Sequence, residues 1–304
     1  MTSQTSPELI ENAKKIIMGQ VMFHEVMALV GEHKTVSQNV SDNQYCVNTK
    51  NKLTAFEESF DYRDMYRERG DWEIPERVLR ECGDWIWKKR ERHRANKLLG
   101  CKEVKRIHAG GNSRSTVSEK ISSSLLGKIS RHLRSSRVQR VTKILAKKND
   151  LHIDELQYPS YFVFANVELQ HDISALPGFL CANKYDSYTY EFGIWRDFRF
   201  FRSEVLKSIE AAGSSVRNTD LWSVSNHRLD VYPLIITGQD AWSSVAFRDW
   251  NSFDLVHRPA WLRDSSNLFG KKGEIATLYW DEVIVQNPKS ITVVEVGTTD
   301  PSLL

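Results

Sequence analysis

The stretch Asp230-Val231-Tyr232-Pro233-Leu234-Ile235-Ile236-Thr237-Gly238-Gln239-Asp240-Ala241-Trp242-Ser243-Ser244-Val245 decides how the rest of the chain is read. Val231 to Ile236 has the aromatic and β-branched texture of a strand, and Gly238 suits a tight backbone turn after it. The same texture recurs on both sides. Tyr161-Phe162-Val163-Phe164 and Arg199-Phe200-Phe201 precede it; Ile275 to Val285 and Ile291 to Val296 follow it. Strands are therefore expected to dominate after residue 150, with Asp197 to Ala211 at least partly helical by pattern.

Before residue 150 the periodicity is helical. Ser6-Pro7-Glu8 supplies a cap, a proline and an acid for a first helix, whose stripe of Leu9, Ala13, Ile16, Ile17, Val21, Met27 and Leu29 runs toward Gly31 and needs a partner. Glu32 to Thr54 is polar and reads as an extended loop or long hairpin. Asp71-Trp72-Glu73-Ile74-Pro75-Glu76 opens a second helix, from about residue 75 to 99, with Val78, Leu79, Cys82, Trp85 and Ile86 on one stripe. Lys88, Lys89, Arg90, Arg92 and Arg94 complement its dipole near the end, and it would be about 37 Å long. Thr116-Val117-Ser118-Glu119 has capping-box spacing for a third helix reaching about Lys148. Along it Lys128, Arg131, Arg134, Arg137, Arg140 and Lys143 step by three, a stripe that winds around an ideal helix axis. The fold class is α+β, with helices before residue 150 and strands after it.

Composition narrows the function. With 304 residues, 40% apolar, and 42 Lys+Arg against 39 Asp+Glu, the chain is not collagen-like, coiled-coil, membrane-spanning or wholly disordered in character. That length supports one large or two modest cores, so a two-lobed molecule is expected. Cys46, Cys82, Cys101 and Cys181 have no CxxC spacing and read as reduced thiols. The first ten residues lack a basic start and an apolar core, so no signal peptide and no membrane partner is expected. Nine tryptophans favour a well-packed or self-associating protein.

Charge is unevenly placed. Residues 101–150 hold thirteen Lys/Arg against three acids, a local +10, while the remainder carries −7. A basic block on a mildly acidic body suits either polyanion contact or acids of a neighbouring subunit. No GxSxG elbow, phosphate loop or HExxH helix occurs. His24-Glu25 and Glu32-His33 read as solvated polar pairs rather than metal ligands. A metal-dependent nuclease needs carboxylates beside a lysine, a pattern into which Asp84, Glu103 and Lys105 can only be forced, since Glu103 and Lys105 sit in a charged segment without strand character. No catalytic residue, metal ligand or cofactor is expected.

Three blocks of the carboxy-terminal half resemble the major capsid (coat) proteins of tailed double-stranded-DNA phages, in particular the short-tailed branch. The first is Tyr161 to Phe164, then Asp172, Phe179, Glu191-Phe192-Gly193-Ile194 and Arg199-Phe200. The second is Asp230 to Val245, and the third is Gly270-Lys271-Lys272-Gly273-Glu274-Ile275 through Tyr279-Trp280 to Val296. A weaker likeness reaches upstream to Phe56. Asn166 stands where the family usually has proline, and Asn267-Leu268-Phe269 replaces Asp-Pro-Leu. The resemblance implies an amino-terminal arm (1–31), an extended loop (32–70), a peripheral domain with a spine helix and the basic segment (71–150), an axial domain (151–262), and closing strands that return to the peripheral domain (263–304). It implies self-assembly through hexamers and pentamers into an icosahedral shell in the virion, assembled in the host cytoplasm. Scaffold, portal and decoration proteins are the further partners it brings. Packaged double-stranded DNA would be met by non-specific contact, with Lys128, Arg131, Arg134, Arg137, Arg140 and Lys143 as the DNA-facing candidates. Gly193, Gly238, Asp240, Gly270 and Gly273 are the structural motif residues. The other readings are a DNA-binding protein or nuclease using residues 101–150, and an encapsulin-like compartment.

Overall fold

The computed structural model describes residues 7–27, 32–36, 54–63, 76–147, 151–216 apart from 186 and 189, 220–247 apart from 226, and 253–303 apart from 261 and 266. Backbone contacts divide the chain into two compact units. Met1–Glu25, His33–Arg90 and Ser244–Val283 form one, and Val26–Glu32, Glu91–Ser243 and Ile284–Leu304 form the other. The elements run α1 (Pro7–His24), β1 (Glu32–Val36), β2 (Thr54–Arg63), α2 (Glu76–Gly100), β3 (Lys105–His108), α3 (Ser123–Ser135), β4 (Val141–Lys147), β5 (Leu151–Asn166), α4 (Gln170–Ser174), β6 (Leu180–Cys181), β7 (Glu191–Trp195), β8 (Phe198–Ser203), β9 (Tyr232–Thr237), β10 (Trp242–Phe247), β11 (Phe253–Arg258), β12 (Lys272–Val285) and β13 (Ile291–Val296). Every segment expected to be a strand after residue 150 is one.

In the first unit, Ala13, Ile17 and Val21 recur every four residues and are buried, so α1 has one apolar face. Against α2 it adds polar contacts: Gln20 Nε2 donates to Asp84 Oδ1 at 2.6 Å, and the His24 ring stacks on Trp87 with centroids 5.3 Å apart. Ile16, expected on the stripe, is exposed, and Leu29 lies outside the described residues. The sheet runs β1-β10-β12-β11, with β2 also paired to β12.

The second unit is built on a sheet of order β3-β13-β9-β5-β8-β7-β6, with β4 on β5. β9 and β13 are buried at every position, which explains their unbroken apolar runs. Val293 pairs with Ile235 across the antiparallel β13–β9 ladder, and β5 runs parallel to β8 with Val163 opposite Phe200. One face carries Tyr161, Val163, Ala165, Phe200, Leu234 and Ile236, clustered with Leu125, Leu126, Ile129 and Leu133 of α3. On the other, Phe162 and Phe164 pack on Phe201 at 4.8 and 5.9 Å. Each such side chain contributes about 1.5–3 kcal/mol by leaving water.

Several expectations are corrected. The third helix is α3, which starts at a Ser122 cap rather than in Thr116–Glu119 and ends at Ser135 rather than near Lys148. The β-branched run around Val141 and Ile144 instead forms β4, where pairing with β5 outweighs helical periodicity. Asp197 to Ala211 is not helical: most of its first half is β8, because Phe198, Phe200 and Phe201 fit a two-sided buried strand. Lys105 opens β3, so that segment does have strand character. Glu25 is buried rather than solvated, with an ion pair to Arg90 at 2.6 Å. The side chains of Glu32 and His33 lie outside the described residues.

The α2 stripe also changes chemistry along its length. Leu79, Cys82 and Ile86 continue at the same spacing into Arg90 and Arg94, both buried. Sequence reading treats these arginines as complements to the helix dipole. In the fold Arg90 meets Glu25 and Asp281, and Arg94 meets Glu91, whose carboxylate also accepts from the Met27 backbone N–H. Cys82, Cys101 and Cys181 are free thiols, and burial with Glu81 nearby pushes the Cys82 thiol up to about 12.

Candidate polyanion-binding surface

The six basic candidates are carried by one short helix, its terminus and the strand that follows. In α3, Leu125, Leu126, Ile129 and Leu133 face the core, so Lys128, Arg131 and Arg134 are left facing water. The helix stops at a Ser136 cap, whose N–H donates to His132 O. Arg137 then takes φ 55°, the left-handed conformation usual for the residue just past a helix, and Val138 N–H closes on Leu133 O at 3.0 Å. Arg140 lies on the extended link, and Lys143 is exposed on β4. The winding stripe of an ideal helix is therefore broken after its third member.

Asp197, in the turn joining β7 to β8, gathers part of this set. Its carboxylate accepts from Ser130 Oγ at 3.1 Å, from Arg134 Nη2, and from Arg140 Nη2 at 3.0 Å. Arg196, at φ 51°, holds its guanidinium 4.6 Å above the Trp195 ring. Beside them lies a groove of about 620 Å³ lined by Gly127, Ser130, Arg131, Arg134, Arg196 and Asp197, among others. Lys128, Arg131 and Arg137 have no ion-pair partner among the described residues. Three arginines against one carboxylate leave the groove with positive charge to spare. Small residues at 127, 130 and 135 leave room for an extended anionic backbone. Sequence reading misses Arg196 and Asp197, because nothing local marks a two-residue turn as the place where α3 is clamped.

The structural residues are placed as follows. Gly238 N–H donates to Ser290 O at 2.8 Å, and Gln239 bonds the 139–142 segment through its backbone N–H and its side-chain oxygen. Asp240 sits at φ 50° and leads to Ala241, whose carbonyl accepts from Gln286 and Asn287. Gly193 lies on β7, where a Cβ would come within 2.6 Å of Leu180 O. Gly270 is in a turn at φ 64°, whereas Gly273 lies inside β12 opposite Tyr62 and marks no turn. Asn267 organises that region: its amide nitrogen bonds Ala260, Leu262 and Lys272 carbonyls, and its oxygen accepts from Lys271 and Lys272 N–H. Asn166 caps the turn after β5 by accepting from Glu168 N–H and donating to Leu206 O.

Of the nuclease candidates, Asp84 is engaged by Gln20 and by the Trp87 indole N–H. Among the described residues, no group of three or more His, Cys, Asp and Glu comes together to hold a metal. No helix among them is long and apolar enough to cross a membrane.

No protein-family model matches the sequence, and no curated protein matches it. Solved structures do. The fold is similar to the capsid of Ralstonia phage GP4, with TM-score 0.55 and 9% identity over 82% of this chain and 74% of that one. It is similar to a virus-like particle from Pyrococcus furiosus, with TM-score 0.51 and 10% identity over 94% and 99% of the two chains. It is also similar to the acidic stable capsid of Helicobacter pylori bacteriophage KHP30, with TM-score 0.50 and 9% identity over 81% and 75%. The chain has the α+β fold of tailed-phage capsid proteins, as the three sequence blocks imply.

Proposed function

We propose that this chain is a structural major capsid protein that self-assembles through hexamers and pentamers into an icosahedral shell around double-stranded DNA. The observation that carries the reading is the capsid fold itself, matched over most of the chain. Its place is the virion, its first partner is its own copies, and its work is packing rather than catalysis. The Arg131–Arg134–Arg196 groove supports non-specific contact with DNA phosphates, for which sequence-independent neutralisation suffices. The domain bounds 1–31, 32–70, 71–150, 151–262 and 263–304 belong to this reading.

Sedimentation of the protein expressed alone, followed by electron microscopy of the fast fraction, tests it. Closed shells or rings of five or six are expected; a monomer at every concentration leaves a missing scaffold or a wrong resemblance, and DNA binding as a function of salt is then the next test. The match to a virus-like particle over 99% of that chain leaves a second shell reading beside it, an encapsulin-like compartment that binds protein cargo. Nuclease-protected duplex DNA in purified shells decides for the capsid; shells with protein cargo and no nucleic acid decide for the compartment.

A further inference from the structure

A second basic concavity lies in the same unit as the α3 groove but shares none of its lining residues. It has a volume of about 360 Å³, and Arg92 and Asn96 of α2, Arg106 of β3, Arg114, and Lys207 and Ser208 after β8 contribute to its walls. Glu295 of β13 also lines it, with its side chain 1% exposed. That carboxylate is already satisfied. Arg114 grips it through Nε at 3.0 Å and Nη2 at 2.6 Å, His108 Nδ1 lies 3.1 Å from Oε2, and Arg106 Nη1 reaches Oε1 at 3.4 Å. Arg106 spends its other end on the Leu99 carbonyl. Arg92 and Lys207 are exposed and have no acidic partner among the described residues.

Four side chains that stay cationic at neutral pH therefore share one small concavity with a single carboxylate, three charges beyond balance. Arg92 and Lys207 are left without an acidic partner among the described residues, and a concave surface with surplus positive charge raises the local concentration of anions. The walls also set the chemistry of that anion. They offer guanidinium forks, an ammonium, an amide and a hydroxyl, and no aromatic ring on which a base could stack. The volume suits one or two phosphoryl groups and is too small for a duplex. We propose that this cleft binds a phosphoryl group, with Arg92 and Lys207 as the residues that close on it and Arg114 held in place by Glu295. The source is either a free phosphate or pyrophosphate or one phosphate of a single nucleic-acid strand. The proposal does not depend on the shell reading.

Calorimetric titration of the full chain with pyrophosphate, at ionic strength matched with sodium chloride, tests it. Saturable binding is expected, weakened about tenfold or more in the double variant Arg92→Ala/Lys207→Ala. That variant removes only exposed side chains without an acidic partner among the described residues, and an unchanged melting temperature confirms its fold. The Arg131→Ala/Arg134→Ala variant, altered in the other groove, should bind pyrophosphate as the parent does. No saturable binding, or equal binding by the Arg92/Lys207 variant, overturns the proposal. A short single-stranded oligonucleotide separates the sources. Competition by pyrophosphate together with loss in the Arg92/Lys207 variant assigns a backbone phosphate; oligonucleotide binding indifferent to those substitutions assigns the free anion.

Discussion

Gly238 has no room for a side chain. A Cβ there would stand 2.4 Å from Val138 Cγ1 and 2.6 Å from the Gln139 carbonyl oxygen, and neither atom belongs to a flexible side-chain end. Even Gly238→Ala should cost about 1–3 kcal/mol by forcing β9 away from the α3–β4 link. Gly238→Val should leave insoluble or unassembled protein, read by sedimentation; normal shells from that variant would refute the role. Arg137 presents the opposite case, a side chain where glycine would fit better, since its φ of 55° costs an L-residue about 1–2 kcal/mol. Arg137→Gly is therefore expected to raise stability by up to about 1 kcal/mol after glycine's own entropy is counted. Thermal melting reads the gain, and a lower melting temperature would show that the Arg137 side chain does structural work. Gly238 is legible in sequence because a glycine between two apolar runs has few other uses. Asn267 is not: its five backbone contacts come from residues 260 to 272 and exist only once that loop has closed.

At the scale of elements, strands proved easier to read than helices after residue 100. The apolar runs of β9 and β13 are buried at every position of their sheet, and β12, in the other sheet, alternates buried and half-buried positions as a strand with one covered face does. The expected third helix is too long because Val141, Ile144 and Leu145 continue the apolar side of Ile121 to Leu133 at near-helical spacing, although the helix ends at Ser135 and a strand begins at Val141. The sequence pattern located the basic residues but not the element that gathers them, the β7–β8 turn. Asp197 there holds Arg134 and Arg140, so these guanidiniums must leave a carboxylate before they can meet a phosphate. Asp197→Asn removes that competitor and adds one positive charge to the groove. Duplex DNA should bind the unassembled variant more tightly, and the slope of log affinity against log salt should steepen by about one or more. An unchanged slope would place DNA contact elsewhere on the molecule. Some stability will be lost as well, about 1 kcal/mol, because Ser130 and Arg140 lose part of a partner that packs α3 against the turn.

For the whole molecule, what sequence could not show is how each unit distributes buried charge, and that distribution sets its response to acid. Composition gives totals, whereas His257, Asp172 and Glu295 acquire their properties only from neighbours far apart in the chain. His257 on β11 is 8% exposed, and burial pushes its imidazole from 6.5 down to about 4. Burial raises the Asp172 carboxyl, but hydrogen bonds from Thr299 and Thr298 and the charge of Lys120 outweigh it and hold the group below its ordinary value. Glu295 is likewise raised by burial and brought below its ordinary value by Arg114, His108 and Arg106. All three are depressed in the folded state, so each contributes stability that is present above its unfolded value and lost as pH falls through its folded one. The windows differ. His257 acts first, between 6.5 and about 4, where the unfolded chain takes up a proton that the folded chain refuses, worth about 3 kcal/mol over the whole span. The two carboxylates act below about 4, where they begin to protonate in the unfolded chain. Urea unfolding of the unassembled protein should therefore show a stability nearly flat between neutrality and about pH 8, a first decline below pH 6.5, and a steeper one below about 4. His257→Gln should abolish the first decline and leave the second, whatever it does to stability at neutral pH. A first decline of the same size in that variant would mean that another group takes up the proton, and that burial of His257 does not govern the acid response of its unit.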